Sequence, residues 1–469
     1  MTRSFFIVVA LITLVFVLCQ LSVFRNVRRY VFARYSRLSL KNTALVFAGL
    51  LLINLSLAYL SMNSNWASAD TQTQKIVAVT FFTYLGVTFA IGVFLLILKS
   101  LYFTATLTLA GYRLLLILVS GDLNGSEVHR NNHGKKLSDT DEADHHSSTD
   151  AIRNPSGVIG SGVSKIKSGR FSLLSWPVSR LRSKSQERRA RLIAVAILLT
   201  FSFGGIYGVM EAYSEPQVEQ HDIRDVRLQG LEKPIRLIHV TDIHYGMFYD
   251  KASLEGLVKS LNSIEADAVL LTGDIFHSPM TNVESAPEVL KKLRSRKFGN
   301  FVIFGNHEFY TGEKRCVSAL QASGLTLLRD EWVSFHDGSG AVHLAGLDDP
   351  RHNWLWGHRF PNFEKLMEKA PLNDGYRILL SHRPAVFSLA SQSGFDLILA
   401  GHTHGGQVIV PMPNSVKGFS LASLASTFTH GWYFEGAAAL YLNRGAGLTF
   451  IPWRINCSPE ISVFTLHPA

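Results

Sequence analysis

The sequence predicts a layered α/β domain preceded by an α-helical, multi-span membrane region, and three patterns carry that prediction. Apolar stretches, each close to the roughly 20 residues a helix needs to cross a hydrocarbon core, run at about 5–24, 44–62, 76–98, 101–120 and 192–213, and none follows residue 214. From about residue 230 onward, short β-branched runs alternate with segments whose apolar residues recur at spacings of three and four, as in helices lying on a sheet. Five of those runs are followed closely by Asp, Asn or His.

The first stretch, "FFIVVALITLVFVLCQLSVF", is long for a signal-peptide core, lacks a small-residue cleavage site and carries its basic cluster behind it, so it reads as a retained span. Arg25, Arg28, Arg29, Arg34, Arg37 and Lys41 follow it, and Arg180, Arg182, Lys184, Arg188, Arg189 and Arg191 precede the fifth stretch. The net charge of +10 thus gathers beside apolar spans, which points to membrane topology and a lipid bilayer and away from nucleic acid. The two clusters conflict, because three stretches lie between them and an odd number of crossings puts them on opposite sides. Taking the flank just before 192–213 as cytoplasmic sends everything after residue 214 to the lumenal or extracellular side.

The expected organisation is a membrane region at 1–120 with about four transmembrane helices, a polar, disordered linker at 121–191, a fifth transmembrane helix at 192–213 and a folded domain at 214–469. In the linker, His145 and His146 of "DEADHH" read as solvated chain. Cys19, Cys316 and Cys457 form neither a disulfide framework nor a metal-ligand spacing. Within the domain, "IRLIHV", "DAVLL", "FVIF", "AVHLAG", "RILL", "FDLILA", "AALYL" and "ISVFTL" predict strands. "SLEGLVKSLNSI", "APEVLKKLRS" and "VSALQAS" predict helices between them, and the whole is large enough to bury a core without help from the spans.

The chemistry sits just past five strands: "HVTDIHYG" with Asp242 and His244, "LLTGDIFH" with Asp274, "IFGNHEFY" with Asn306 and His307, "LLSHRP" with His382, and "LAGHTHGGQ" with His402 and His404. Loops at the carboxyl ends of strands in an open sheet converge on one crevice. Each motif alone is ordinary turn chemistry or a satisfied histidine; five together crowd polar groups that need a shared partner. Strand geometry further predicts that His402 and His404 turn the same way, with flanking glycines keeping the loop free of bulk.

The order D-x-H, G-D, G-N-H-E, S-H, G-H-T-H resembles the calcineurin-like metallophosphoesterase superfamily over roughly residues 230–469. "AGLDDP", "GHTHGGQ" and "NRGAG…PWRINCSPEI" resemble its membrane-associated branch. The resemblance implies a β-sandwich flanked by helices and two divalent metal ions. Carried over by position, Asp242, His244 and His404 hold one ion, Asn306, His382 and His402 hold the other, and Asp274 bridges them with its two oxygens. Oxygen and imidazole donors without thiolate suit manganese, iron or zinc. The implied reaction is hydrolysis of a phosphate ester or phosphodiester by a metal-activated water, with His307 as the catalytic histidine that stabilises developing charge or protonates the leaving oxygen.

Around these, Glu308 reads either as a carboxylate orienting His307 or as a surface charge. Asp348 and Asp349 read as a G-x-D-D element or a turn, and Arg383 and Arg444 as phosphate grips or surface ion pairs. His239 alternates away from Asp242 and reads as structural, while His277 lies near the site without a role. Attachment to spans favours a lipid-linked phosphate ester as substrate over a soluble one; oligomeric state is not legible. The rival class is a non-catalytic membrane scaffold or binding protein that keeps the fold, and a third reading makes the spans a channel. The channel reading is opposed by the scarcity of charge in the apolar stretches, where Arg113 is the main ionised residue.

Overall fold

The computed structural model describes residues 78–95, 184–246, 248–279, 281–350, 360–372, 374–413 and 415–468, with isolated helical positions at 22, 23, 97, 101, 104 and 108. The stretches expected at 5–24, 44–62 and 101–120 therefore lie almost entirely outside the described residues, as do His145, His146 and the linker up to residue 183. Among the described residues two helices are long and apolar enough to cross a membrane: α1 (Ala78–Leu95) and the Leu192–Ala212 part of α2 (Lys184–Ala212). Helix α2 starts inside the segment expected to be linker, because "KSQERRAR" consists mostly of good helix formers and continues the helix of the apolar stretch backwards. Ala78–Ala90 and Ala194–Ala469 belong to one compact unit of the chain; the remainder of both helices belongs to a second.

Two six-stranded sheets form the first unit. One contains β1 (Gln217–Arg224), β2 (Ile235–Val240), β3 (Ala268–Leu271), β4 (Gly299–Val302), β5 (Thr326–Leu327) and β14 (Glu460–His467), in the order β1-β14-β2-β3-β4-β5, parallel from β2 to β5. The other contains β6 (Glu331–Asp337), β7 (Gly340–Leu347), β8 (Tyr376–Ser381), β9 (Leu397–Ala400), β12 (Gly431–Glu435) and β13 (Ala438–Leu442), in the order β12-β13-β9-β8-β7-β6, parallel from β13 to β7. A separate hairpin pairs β10 (Val410–Met412) with β11 (Ser415–Phe419).

Alternation along each strand makes the layers. Leu237, Leu270 and Phe301 of the first sheet pack with Leu344, Ile378, Leu380 and Leu399 of the second, so the sheets face each other. Their alternates Ile238, Val269 and Val302 pack with Leu254, Leu257 and Leu261 of α3 (Lys251–Asn262), with α4 (Pro287–Leu290), and with Leu320 beyond α5 (Asn306–Thr311), in α6 (Glu313–Ala322). On the outer face of the second sheet, Leu379, Ile398 and Leu440 meet α7 (Phe363–Glu368) and α8 (Phe387–Gln392) through Phe363, Leu366, Phe387 and Ala390. The result is helices, sheet, sheet, helices. "APEVLKKLRS" yields only the short α4, because Asn262 bonds the Lys292 carbonyl at 2.8 Å and the Arg294 N–H at 2.9 Å and draws the chain out of the helix.

Candidate metal centre

The five candidate loops leave β2, β3 and β4 in one sheet and β8 and β9 in the other, so the site is assembled from both halves of the sandwich instead of from one open sheet. Asp242, His244, Asp274, His402 and His404 all have left-handed backbone, with φ between 49° and 76°. Non-glycine residues rarely adopt this conformation, and such strain concentrates at sites where a side chain must be aimed. It also corrects the strand-based expectation for His402 and His404. They lie beyond β9 in a left-handed turn, and the turn sends them to different partners.

One partner set is Asp242, His244 and His404, and another is Asp274, His382 and His402; within each set the donor atoms lie within 4.8 Å of one another. Asp242 Oδ1 stands 3.2 Å from His404 Nε2 and 3.8 Å from His244 Nε2. Asp274 Oδ2 stands 3.1 Å from His382 Nε2, 3.6 Å from His244 Nε2 and 4.0 Å from His307 Nε2. Its other oxygen, Oδ1, accepts the His307 backbone N–H at 2.8 Å. A single oxygen of Asp274 thus faces both sets, where the sequence suggested two. Gly305 and Gly401 permit the approach: a Cβ at Gly305 would collide with Asp274 Oδ1, and one at Gly401 with Asp242 Oδ2 and Thr241 Oγ1.

The donor chemistry fits a pair of cations. Two imidazole nitrogens face each other at 3.0 Å in His244 Nε2 and His404 Nε2, and at 3.1 Å in His402 Nδ1 and His382 Nε2. Lone pairs so opposed repel unless a proton or a metal lies between them, and two nitrogens about 2.1 Å from one ion and roughly at right angles about it are about this far apart. Asp242 Oδ1 and Asn306 Oδ1 are buried without a well-aligned hydrogen bond, two oxygens that a cation would satisfy.

Electrostatics agrees. Burial works to raise the Asp242 and Asp274 carboxyls, but the imidazoles around them, His404 first for Asp242 and His382 first for Asp274, hold both well below the usual carboxylate range. Burial and then His307 push His244 down to about 4, and burial and then His382 push His402 down to about 3. Burial also works to lower His382, yet Asp274 and Asp242 raise it to about 10. Anionic Asp242 and Asp274 beside neutral His244 and His402 are the protonation states a divalent ion requires, and the proton held on His382 is one it would displace.

Several supports escaped sequence reasoning. Glu308 is fully buried and is neither a surface charge nor a partner of the His307 ring. Its carboxylate accepts the backbone N–H groups of Asp274 at 2.9 Å, Ile275 at 2.7 Å, Phe276 at 3.1 Å and Gly305 at 2.8 Å, tying the Asp274 loop to the start of α5. Burial and then Asp274 push it up to about 7. Arg454, fully buried, donates to the carbonyls of Arg444, Gly445, Gly447 and Cys457, and Cys457 Sγ donates to His404 O at 3.2 Å. His277 gains a place: its Nδ1 is 3.4 Å from His244 Nδ1, and its carbonyl accepts from His307 Nδ1. The signal for Glu308 was its position three residues after Gly305, where a carboxylate reaches back to the start of a helix.

The remaining candidates separate. His382 Nδ1 donates to Thr272 O at 2.8 Å, which leaves Nε2 for the site. His239 points between the sheets and pairs with Thr272 Oγ1 at 2.8 Å. Arg383 is bidentate on Asp349 at 2.6 and 3.1 Å, Asp348 holds Arg329 at 2.8 Å, and Arg444 meets Glu460 at 2.6 Å and Glu219 at 2.8 Å. Both arginines are engaged by carboxylates rather than presented to a phosphate.

A helix-flanked sandwich with Asp and His clusters at its strand ends defines a scaffold able to hold metal ions, and known proteins share it. The family profile described as calcineurin-like phosphoesterase matches residues 235–406. The chain is 32% identical over 293 residues to an uncharacterized metallophosphoesterase of Helicobacter pylori, a match that covers 61% of this chain and 73% of that protein. It is 30% identical over 273 residues to the uncharacterized metallophosphoesterase YkuE of Bacillus subtilis, covering 56% and 90%. It is also 29% identical over 304 residues to a zebrafish (Danio rerio) protein named transmembrane protein with metallophosphoesterase domain, covering 61% and 67%. The chain belongs to the calcineurin-like metallophosphoesterases.

Proposed function

We propose that the chain is a membrane-anchored, binuclear-metal phosphoesterase that hydrolyses a phosphate ester or phosphodiester on a lipid-linked substrate. The observation that carries this reading is the junction of the two donor sets at Asp274 Oδ2, 3.1 Å from His382 and 3.6 Å from His244. Asp242, His244 and His404 would hold one divalent ion, Asn306, His382 and His402 the other, with Asp274 between them. Manganese, iron or zinc bound there would supply a water acidic enough to attack phosphorus and would neutralise the charge that develops on the phosphoryl oxygens. His307, tethered through Nδ1 to the His277 carbonyl, directs Nε2 at the site, where the ring would stabilise developing charge or give a proton to the leaving oxygen. Glu308, Arg454 and Cys457 keep the ligand loops in their strained conformations throughout.

Membrane attachment is supported by α1 and α2 and by the name of the zebrafish relative. The proposal keeps the membrane region at 1–120, the linker at 121–191 with its last residues drawn into α2, and the catalytic domain at 214–469 on the lumenal or extracellular side. A reporter fused to the carboxyl terminus tests the side. The activity test is purified full-length protein on an aryl phosphodiester with and without added manganese, iron or zinc. Turnover that needs a divalent ion and stops on chelation supports the reading. A folded protein inert under every metal supports the scaffold alternative instead.

A further inference from the structure

The segment 405–429 contains one charged residue, Lys417, in a chain of which 17% is charged. Lys417 turns inward, its Nζ donating to the carbonyls of His430 and, at 3.1 Å, Trp432. The segment 445–459 likewise contains one charged residue, Arg454, and it is fully buried. Neither segment therefore offers a charge to its surroundings, yet the first is rich in exposed apolar side chains, with Val416 fully exposed, Leu421 and Leu424 70% and 73% exposed and Val410 and Met412 about half, and the second adds Phe450 at 81%. A water-facing surface ordinarily intersperses charge among such residues, and a contiguous uncharged apolar patch marks a contact with something else.

The patch is continuous with the apolar helices. The Trp453 ring lies against Gly86 of α1 and Gly205 of α2, its Cβ lies against Gly208, and the Arg454 N–H donates to the Gly208 carbonyl at 2.9 Å. From Gly205 to the end of α2 at Ala212 is roughly 10 Å of helix, so the 449–455 loop runs beside the last two turns of a candidate span. That loop is joined to the hairpin by backbone: Val408 bridges Ile455, Ile409 N–H donates to Ile455 O at 2.9 Å, and Asn456 Nδ2 donates to Ile409 O at 3.1 Å. Leu421–Leu424 then folds back on the metal loop, where Ser420 and Ala422 lie against Gly406, two residues after His404.

We infer that the β10–β11 hairpin, the Leu421–Leu424 turn and Phe450 rest in the surface of the same bilayer that α2 crosses, placing the His404 loop at the level of the lipid headgroups. The inference rests on the membrane reading of α2 given above. It supplies what a lipid-linked substrate needs: a metal loop reached by a headgroup whose acyl chains stay in the membrane. Lipid is preferred to a protein partner because the patch lies beside the Leu192–Ala212 part of α2, whose large exposed side chains, Leu199, Phe203, Ile206 and Met210 among them, are apolar.

The test is full-length protein in phosphatidylcholine vesicles, labelled by a carbene-generating probe confined to the lipid phase and read by peptide mass spectrometry. Label in 410–424 and at Phe450, at a level comparable with 192–212, is the expected result. The variant V416D/L421D/L424D, which changes only exposed side chains, should cut hairpin labelling at least tenfold while 192–212 stays labelled and the melting temperature holds. A labelled α2 beside an unlabelled hairpin overturns the inference and leaves the membrane reading standing; this is what a second copy of the chain covering the patch would give. An unlabelled α2 and hairpin together remove the membrane reading and the inference with it. Since no turnover is measured, a failure of the catalytic reading does not enter.

Discussion

Along β3 and β9 each side chain, from Ala268 to Leu271 and from Leu397 to Ala400, is apolar and buried on an extended backbone. A few residues further on, Asp274 and His402 are polar, and their φ angles are 52° and 76°. The strand interiors follow their local propensities and are stabilised by burial and by regular ladders to the strands on either side. The loops oppose theirs and are held by directed bonds: four N–H groups on the Glu308 carboxylate, and four carbonyls on the Arg454 guanidinium. One region makes the scaffold rigid; the other uses that rigidity to aim ligands. Damage to the first should therefore appear as lost stability, and damage to the second as lost metal and lost turnover.

The largest effect is expected at the junction. Asp274→Ala removes the one oxygen that faces both donor sets, and it should lower metal-dependent turnover by more than the roughly 100-fold typical of changes one contact further out. The bound-metal content measured on the same sample should fall with it. Leu270→Ala, deep between the sheets, should instead cost about 2–5 kcal/mol in a denaturant titration while each folded molecule keeps its metal and its rate.

His239 sharpens the contrast, because it is a titratable group in the scaffold rather than the site. Burial pushes it down to about 4, so the folded protein refuses a proton that the unfolded chain accepts near pH 6.5. Its contribution to stability is complete above that pH and is lost as pH falls toward 4. Accordingly, His239→Gln should remove about 2 kcal/mol of the stability difference between pH 7 and pH 5. Glu308→Gln is expected to be the mildest: an amide accepts fewer of the four N–H groups, so metal affinity by calorimetry should weaken about 10-fold to 100-fold with the fold intact.

The same division decides what could be read from the sequence. β2, β3, β4, β7, β8, β9, β13 and β14 were legible because burial of most of their residues leaves short, predominantly apolar and β-branched runs. β1, "QVEQHDIR", and β6, "EWVSFHD", are sheet-edge strands with alternating exposed polar positions, and their composition does not separate them from loop. The candidate ligands were legible through residue type and order, and the structure brings all seven to one end of the sandwich, near His307. Their aim was only partly so: the family pattern assigns His402 and His404 to different ions, but strand alternation cannot describe residues with positive φ, so the left-handed turn that separates them and the one-oxygen role of Asp274 were invisible. Glu308 was misjudged because three of its four partners are backbone N–H groups of the distant Asp274–Phe276 loop, which no side-chain pattern records, while the fourth, Gly305, left only the helix-start spacing as a signal.

Metal analysis of the intact, folded protein after loading with manganese, iron or zinc addresses the central claim most directly. Two tightly held ions per chain, with at least one lost in Asp274→Ala, is the result expected if the two donor sets meet at that carboxylate. A wild-type protein that is folded by its melting curve and retains no ion under any of the three loadings contradicts it.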